Sequence, residues 1–356
     1  MAHYGNLHIQ DGQIGMADRK LGIILTGGTI GAQGDENDVL RVSSLPERRI
    51  VSSISSATVE VPLRKLSEDF TPGDWLTIAR SVKSLADSQE LDAVVILHGT
   101  DTLAYSSAGL SFLLADLPIP VVLTGANRPL SEPDSDAATN YFDAVTAALG
   151  LPEGVYVSFS GTLNKPSLIH LGTRVRKQRA GGQAFQSIGL EPLARVTEGK
   201  LSHLRPIPPR QPLKTTNLSI DESVLFVKLY PGCPLRDFSE LVALHSKRVV
   251  VIELYPSQTG PGSSSDFSLA AFTTRCIESG AIVVGTIGEG VQRIQATYES
   301  TVEFREAGGI LLPSILPEVA VVKVMWALGQ TYNFDEFKEI LFRNIAGELV
   351  DRNSRS

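Results

Sequence analysis

The 356-residue chain is short of the residues that would tie it to an oxidising, metal-bound or membrane setting. It has two cysteines, Cys233 and Cys276, too few for a disulfide framework and suited to a reducing compartment. Its six histidines and two cysteines show no metal-ligand spacing, so no metal and no cofactor is implied. No run approaches the roughly 20 apolar residues that a membrane span needs. Met1 to Gln13 has no apolar core behind a basic start, which argues against a secretory signal. The net charge of −7 comes without a long basic stripe, which argues against a nucleic-acid surface. The richest basic cluster, Arg174-Val175-Arg176-Lys177-Gln178-Arg179, is short. These absences leave a cytoplasmic, soluble protein as the default reading, with no nucleic acid and no membrane as partner.

What is present is a large apolar fraction, 42%, in a chain long enough for two domains. From Leu21 onward, buried-type strands alternate with amphipathic helical patterns. Strands are expected at Leu21 to Leu25, Val59 to Leu66, Leu91 to Leu97, Ile119 to Leu123 and Val155 to Phe159. Helices are expected after Thr71-Pro72, over Thr102 to Leu114 and over Asp136 to Leu149. Such alternation predicts a mostly parallel sheet covered by helices on both faces. It lapses between Leu190 and Leu218, where Pro206, Pro208, Pro209 and Pro212 read as an extended linker. It then resumes with strands Val224 to Leu229, Val249 to Leu254 and Ala281 to Thr286, and with helices ending near Ile345. The expected organisation is an extension over 1–20, an α/β domain over 21–200, a linker over 201–222 and a smaller α/β domain over 223–356.

Two strings sit where apolar strands run out: Thr26-Gly27-Gly28-Thr29-Ile30 and His98-Gly99-Thr100-Asp101-Thr102. Each brings a hydroxyl to the carboxyl end of a strand, where open α/β sheets place their ligand crevices. A threonine hydroxyl becomes a nucleophile only when a neighbour polarises it or takes its proton. The flanking glycines let backbone approach a ligand closely. A plain glycine turn or a phosphate cradle is the alternative, although the spacing is neither G-x-G-x-x-G nor a P-loop. Thr100 or Asp101 would equally serve to cap the helix beginning near Thr102, and His98 reads as a structural strand-end residue. Lys177, taken alone, belongs to a basic run of the kind that usually forms a solvated face. Ser67 is unremarkable in isolation.

The combination resembles the two signature motifs of the bacterial-type L-asparaginase family, nearest its cytoplasmic type I form. Supporting segments fall in order. Leu66-Ser67-Glu68-Asp69-Phe70-Thr71-Pro72 is similar to that family's substrate-carboxylate loop. Thr124-Gly125-Ala126-Asn127-Arg128-Pro129, followed by Asp136 and Asn140, is similar to its next strand end and helix. Gly172-Thr173-Arg174-Val175-Arg176-Lys177 resembles the segment that supplies its catalytic lysine. The resemblance runs well from Leu21 to about Gln186 and more loosely beyond. It implies two three-layer α/β domains, the larger with a flavodoxin-like sheet and the smaller Rossmann-like.

The resemblance also implies roles. Thr29 would attack the side-chain amide of L-asparagine, forming a β-aspartyl enzyme and releasing ammonia. Thr100, Asp101 and Lys177 would handle the proton, and Asp101 would also pair with the substrate ammonium. Ser67 and the backbone around Glu68 would hold the carboxylate, with Gly28, Gly99 and Ala126 lining the substrate. A homodimer or homotetramer is the implied assembly.

The chain also departs from the family pattern. Family members usually carry a tyrosine in the loop after the nucleophile, whereas no tyrosine lies between Tyr4 and Tyr105 here. Val39 takes the expected place and has no proton to donate or accept. Tyr255-Pro256-Ser257-Gln258-Thr259-Gly260 matches the family's subunit-contact stretch by position only, Glu289 receives no role, and Glu68 stands where many members have glutamine. Two alternatives follow from the missing tyrosine: a non-catalytic ligand-binding protein on the same fold, or an amidase for another small amide. A third, the ammonia-releasing subunit of a tRNA-dependent amidotransferase, shares the motifs but calls for a further N-terminal domain and a basic RNA-facing surface. Only residues 1–20 precede the first expected strand.

Overall fold

A computed structural model describes residues 19–34, 40–42, 51, 54, 57–161, 165–178, 184–214, 217–262, 268–287 and 297–349. Val39 and Glu289 lie outside the described residues. In chain order the strands are β1 (Leu21–Leu25), β2 (Ala32–Gly34), β3 (Leu40–Val42), β4 (Ala57–Glu60), β5 (Ala93–Leu97), β6 (Pro120–Thr124), β7 (Gly154–Phe159) and β8 (Ser167–Leu171). They continue as β9 (Val175–Lys177), β10 (Phe185–Ser187), β11 (Ala194–Thr197), β12 (Lys200–His203), β13 (Val224–Lys228), β14 (Val249–Leu254), β15 (Ile282–Ile287) and β16 (Ile310–Leu311). The helices are α1 (Pro72–Gln89), α2 (Leu103–Leu113), α3 (Ala137–Gly150), α4 (Leu235–Leu244), α5 (Leu269–Glu278), α6 (Glu299–Glu306), α7 (Pro317–Gln330) and α8 (Phe334–Phe342).

The larger sheet runs β12-β11-β8-β7-β6-β5-β1-β4. Its five strands from β4 to β7 are parallel, and β8, β11 and β12 continue it antiparallel. Leu-Gly-Ile-Ile-Leu, Ala-Val-Val-Ile-Leu and Pro-Val-Val-Leu-Thr are buried at every position because helices cover both faces, so they read as unbroken apolar runs. Counting only the parallel strands, the spatial order is second, first, third, fourth, fifth. That is the flavodoxin-like order, whose switch point lies between β1 and β5. The smaller sheet, β13-β14-β15-β16, is parallel throughout. A two-residue hairpin turn joins β11 to β12 inside the stretch where the alternation lapses. These two short strands at the end of the sheet expose every second residue or more, so their composition resembles a loop.

Two helices lie between the sheets and join their cores. α2 is buried along nearly its whole length, and α7 shows the same pattern. Phe112 stacks on Trp326 with ring centroids 5.3 Å apart. Small residues let α2 fit: a Cβ on Gly109 would lie 2.9 Å from the Trp75 ring, whose Nε1 donates to Ser106 Oγ at 3.0 Å. The middle of α7 is tied down by a buried ion pair. Lys323, wholly buried, donates to Glu348 Oε1 at 2.5 Å and to the carbonyls of Leu341 and Arg343. Glu348 in turn accepts the amides of Ile345 and Ala346.

Removing one partner of such a pair strands a charge in the core. Lys323→Met is expected to destabilise the protein by about 3–5 kcal/mol in urea unfolding, and adding Glu348→Gln should recover part of that loss.

Both cysteines are free and buried, and burial pushes the Cys276 thiol up to about 12. Among the described residues no helix is long and apolar enough to cross a membrane.

Candidate active site

The site forms at the switch point because β1 and β5 pair in register from Leu21↔Ala93 to Leu25↔Leu97 and end together. Past β1, Thr26 closes the strand end with its amide and hydroxyl both donating to Leu97 O, at 3.1 and 2.9 Å. The chain then turns through Gly27 and Gly28 at φ +100° and +81°. A Cβ on Gly28 would lie 2.4 Å from the Gly99 amide nitrogen, so only glycine allows this approach of the two loops. Thr29, half-buried, opens a single helical turn, and its hydroxyl makes no hydrogen bond among the described residues.

The β5 loop carries His98, Gly99, Thr100 and Asp101. The buried His98 ring sits edge-on to Phe70 at 4.5 Å. Its Nδ1 faces Gly99 O at 2.6 Å and therefore donates, and its Nε2 has no partner among the described residues. Neither Thr100 nor Asp101 caps α2. The N-cap is Thr102, and its hydroxyl donates to Ser67 O at 2.7 Å instead. Ser67 is buried, and its hydroxyl accepts the Asp101 amide at 3.2 Å. Glu68 is exposed on the same turn. Behind this loop Lys65 bridges the Asp74 carboxylate at 2.7 and 3.0 Å. Burial raises the Asp74 pKa, but the bonds from Lys65 and Thr71 outweigh it and hold the carboxyl below its ordinary value.

A third loop follows β6. Gly125 lies against His98 O, where a Cβ would come within 2.4 Å, and Ala126 beside it is buried. Asp136 begins α3, yet its carboxylate turns back to accept the amides of Asn127 and Arg128. Asn140 joins the pieces by donating to Gly125 O at 2.9 Å and accepting the Ser160 amide at 2.8 Å.

Lys177 reaches this cluster from β9, outside the main sheet. Its Nζ donates to Thr100 Oγ1 at 2.7 Å and to Asp101 Oδ1 at 2.8 Å. The basic run is therefore not a solvated face: Arg174 is buried, Arg176 holds Glu318, and Lys177 holds the β5 loop. Beside these groups a cleft of about 650 Å³ opens between the two sheets. Its walls include Asp101, Tyr105 and Lys177 on one side, with Lys228, Glu253 and Glu318 on the other. Among the described residues no group of acidic, histidine or cysteine side chains is arranged to hold a metal. Contacts join several of these groups: Gly28 lies against Gly99, Gly99 against Ser67, and Thr100 and Asp101 against Lys177, with Thr29 next to Gly28 and Ala126 next to Gly125, while of these residues Asp101 and Lys177 line the cleft itself. Arg176 and Glu318 were not singled out from the sequence. The only hint was Pro317-Glu318 opening an apolar helix, a common helix start.

Burial lowers the pKa of both His98 and His170 to about 4. The unfolded chain takes up protons near pH 6.5, which the folded protein refuses until about pH 4. Stability from keeping these rings neutral is complete above pH 6.5 and is lost as pH falls from there toward 4. The loss is on the order of 3 kcal/mol per histidine. Urea midpoints should fall between pH 7.5 and 4.5, and less steeply in His170→Gln.

A profile of the family described as "Asparaginase, N-terminal" matches residues 20–208. Over 350 residues the chain is 35% identical to a glutamyl-tRNA(Gln) amidotransferase subunit of Metallosphaera sedula, covering 94% of this chain and 78% of that protein. Among solved structures it is similar to the thermostable L-asparaginase from Thermococcus kodakarensis. That match has a TM-score of 0.76 and 32% identity, covering 93% of this chain and 99% of the other. L-asparaginase I from Vibrio cholerae superimposes with a TM-score of 0.73 at 26% identity, covering 94% and 100%.

Proposed function

Since the chain belongs to the asparaginase family, we propose that it is an amidohydrolase cleaving the side-chain amide of a small amino acid, with L-asparagine as first candidate. The observation that carries the reading is the Lys177 ammonium held between Thr100 Oγ1 and Asp101 Oδ1 at the β1/β5 switch point. A cation on the Thr100 oxygen leaves the Thr100 proton pointing elsewhere and favours negative charge on that oxygen, which can then draw a proton from a neighbouring hydroxyl.

In this reading Thr29 Oγ1 bonds to the amide carbon and its proton passes through Thr100 to the leaving nitrogen. The C–N bond breaks, ammonia departs and a β-aspartyl ester remains on Thr29. Water then attacks the ester, returns a proton to Thr29 and frees aspartate. Backbone amides around Gly28 and Ala126 would stabilise the developing oxyanion, a contribution of about 3 to 4 kcal/mol per donor in comparable sites. Ser67 and the turn at Glu68 would take the α-carboxylate, Gly99 would line the substrate, and Asp101 would take the ammonium. The cleft is open beside the exposed Phe226, and the homodimer or homotetramer expected of the family would cover it.

A second reading is favoured by the amidotransferase relatives. The same chemistry would then release ammonia, with L-glutamine as the natural donor, for transfer to a glutamyl-tRNA. Ammonia release from L-asparagine, L-glutamine and D-asparagine tests both readings. Turnover of free L-asparagine supports the first. Turnover of L-glutamine that rises only with glutamylated tRNA supports the second. A folded protein that binds the amino acids without turnover would be a ligand-binding member of the family.

A further inference from the structure

We infer that Arg176 and Glu318 form a positioning pair that sets Lys177 against Thr100 and Asp101, an inference that rests on the proposed amidohydrolase reading. β9, the strand carrying Lys177, has three residues and among the described residues pairs only with β10. An isolated two-stranded hairpin is marginal in water, so its placement must come from contacts made elsewhere. Those contacts form a series along the segment. Ser107 Oγ donates to Gly172 O at 2.8 Å. Thr173 Oγ1 donates to Ala346 O at 3.1 Å, and Arg174 Nη2 donates to Ser314 O at 2.6 Å. Arg176 then grips Glu318 with a fork, Nε to Oε1 at 2.6 Å and Nη2 to Oε2 at 2.9 Å. A two-bond fork fixes orientation as well as distance.

Glu318 is a firm anchor. Its side chain is 10% exposed, and it sits in the first turn of α7 behind Pro317, where the helix dipole favours a carboxylate. α7 is locked to α2 by the Phe112–Trp326 stack, and α2 begins directly after Thr100-Asp101-Thr102. The partners of Lys177 therefore ride on the start of α2, and the partner of Arg176 rides on the start of α7. Two adjacent residues of one strand span two helix starts whose spacing the core dictates. Buried Val175 and Phe185 keep the hairpin on the core without the fork, so its loss would let Lys177 shift rather than leave, and a shift of about 1 Å at a reacting group can lower a rate about 100-fold.

The test uses Arg176→Gln, Glu318→Gln and their double variant, with Arg176→Lys as the milder change that keeps the cation and loses the fork. Arg236→Gln, in an exposed pair with Glu240, serves as the control. Two readouts are taken where circular dichroism matches the parent: kcat and KM for ammonia release, and the acetylation rate of Lys177 by acetic anhydride, read by peptide mass spectrometry. The expected result is a kcat lowered about 10- to 100-fold with KM little changed, a double variant no worse than either single one, partial retention in Arg176→Lys and faster acetylation of Lys177. Unchanged kcat and unchanged labelling, with only the melting temperature lowered, would overturn the pair's positioning role. If the parent releases no ammonia, the amidohydrolase reading fails. The labelling still decides the pair: faster acetylation in the variants upholds it and unchanged acetylation refutes it.

Discussion

Thr29→Ala is expected to lower ammonia release by about 10⁴-fold or more while leaving the fold intact, since removal of a covalent nucleophile costs this much or more elsewhere. The size of the effect follows from chemistry rather than packing. Among the described residues no other hydroxyl stands at the end of β1 with the same freedom. Thr26, three residues earlier, has its hydroxyl committed to Leu97 O. Thr100 has its oxygen committed to Lys177. The Thr29 hydroxyl makes no bond among the described residues and follows the paired glycines that bring the chain against Gly99. Deleting it removes no hydrogen bond seen in the structure, so the unfolding free energy should change by less than about 0.5 kcal/mol, the usual range for a substitution that leaves packing intact. Thr29→Ser keeps the oxygen and should retain measurable turnover.

Lys177→Met should reduce kcat by about 10²- to 10⁴-fold, the range associated with a positioned proton-transfer group. Methionine preserves much of the side-chain length and removes the two bonds to Thr100 Oγ1 and Asp101 Oδ1. The stability cost should be small. The Asp101 side chain is 58% exposed, and partly exposed pairs of this kind contribute about 0–1 kcal/mol. A large fall in rate with a small fall in stability is the signature that distinguishes a reacting group from a structural one. The reverse pattern is expected at Lys323, whose partner Glu348 is wholly buried and whose loss should be felt in unfolding first.

The parallel core of the fold was legible for a physical reason. Strands covered on both faces carry unbroken apolar runs, and β1, β5 and β6 are such runs, each ending in glycine, histidine or threonine. The helices beginning at Pro72 and Leu103 followed from their amphipathic or small-residue patterns. The antiparallel additions were not legible. β9 to β12 are three or four residues long, and β11 alternates buried with exposed positions, so neither length nor composition separates them from loops.

The same division runs through the site. Thr29, Thr100, Asp101 and Lys177 could be gathered because two are at strand ends and all sit in motifs with a family resemblance. Their neighbours that act by contact alone had no local signal. Nothing in Arg176 or Glu318 announces a partner 142 positions away. The capping role available to Thr100 and Asp101 went unused, and Ser67, on the turn between β4 and α1, takes up the Thr102 hydroxyl and the Asp101 amide.

The central claim is that the amide carbon becomes bonded to Thr29. Rapid acid quench of the protein mixed with whichever of L-asparagine or L-glutamine it turns over, followed by peptide mass mapping, tests it most directly. The account predicts an acyl ester on the peptide containing Thr29, absent in Thr29→Ala. Turnover that persists in Thr29→Ala, or an ester carried by Thr100 instead, would contradict it.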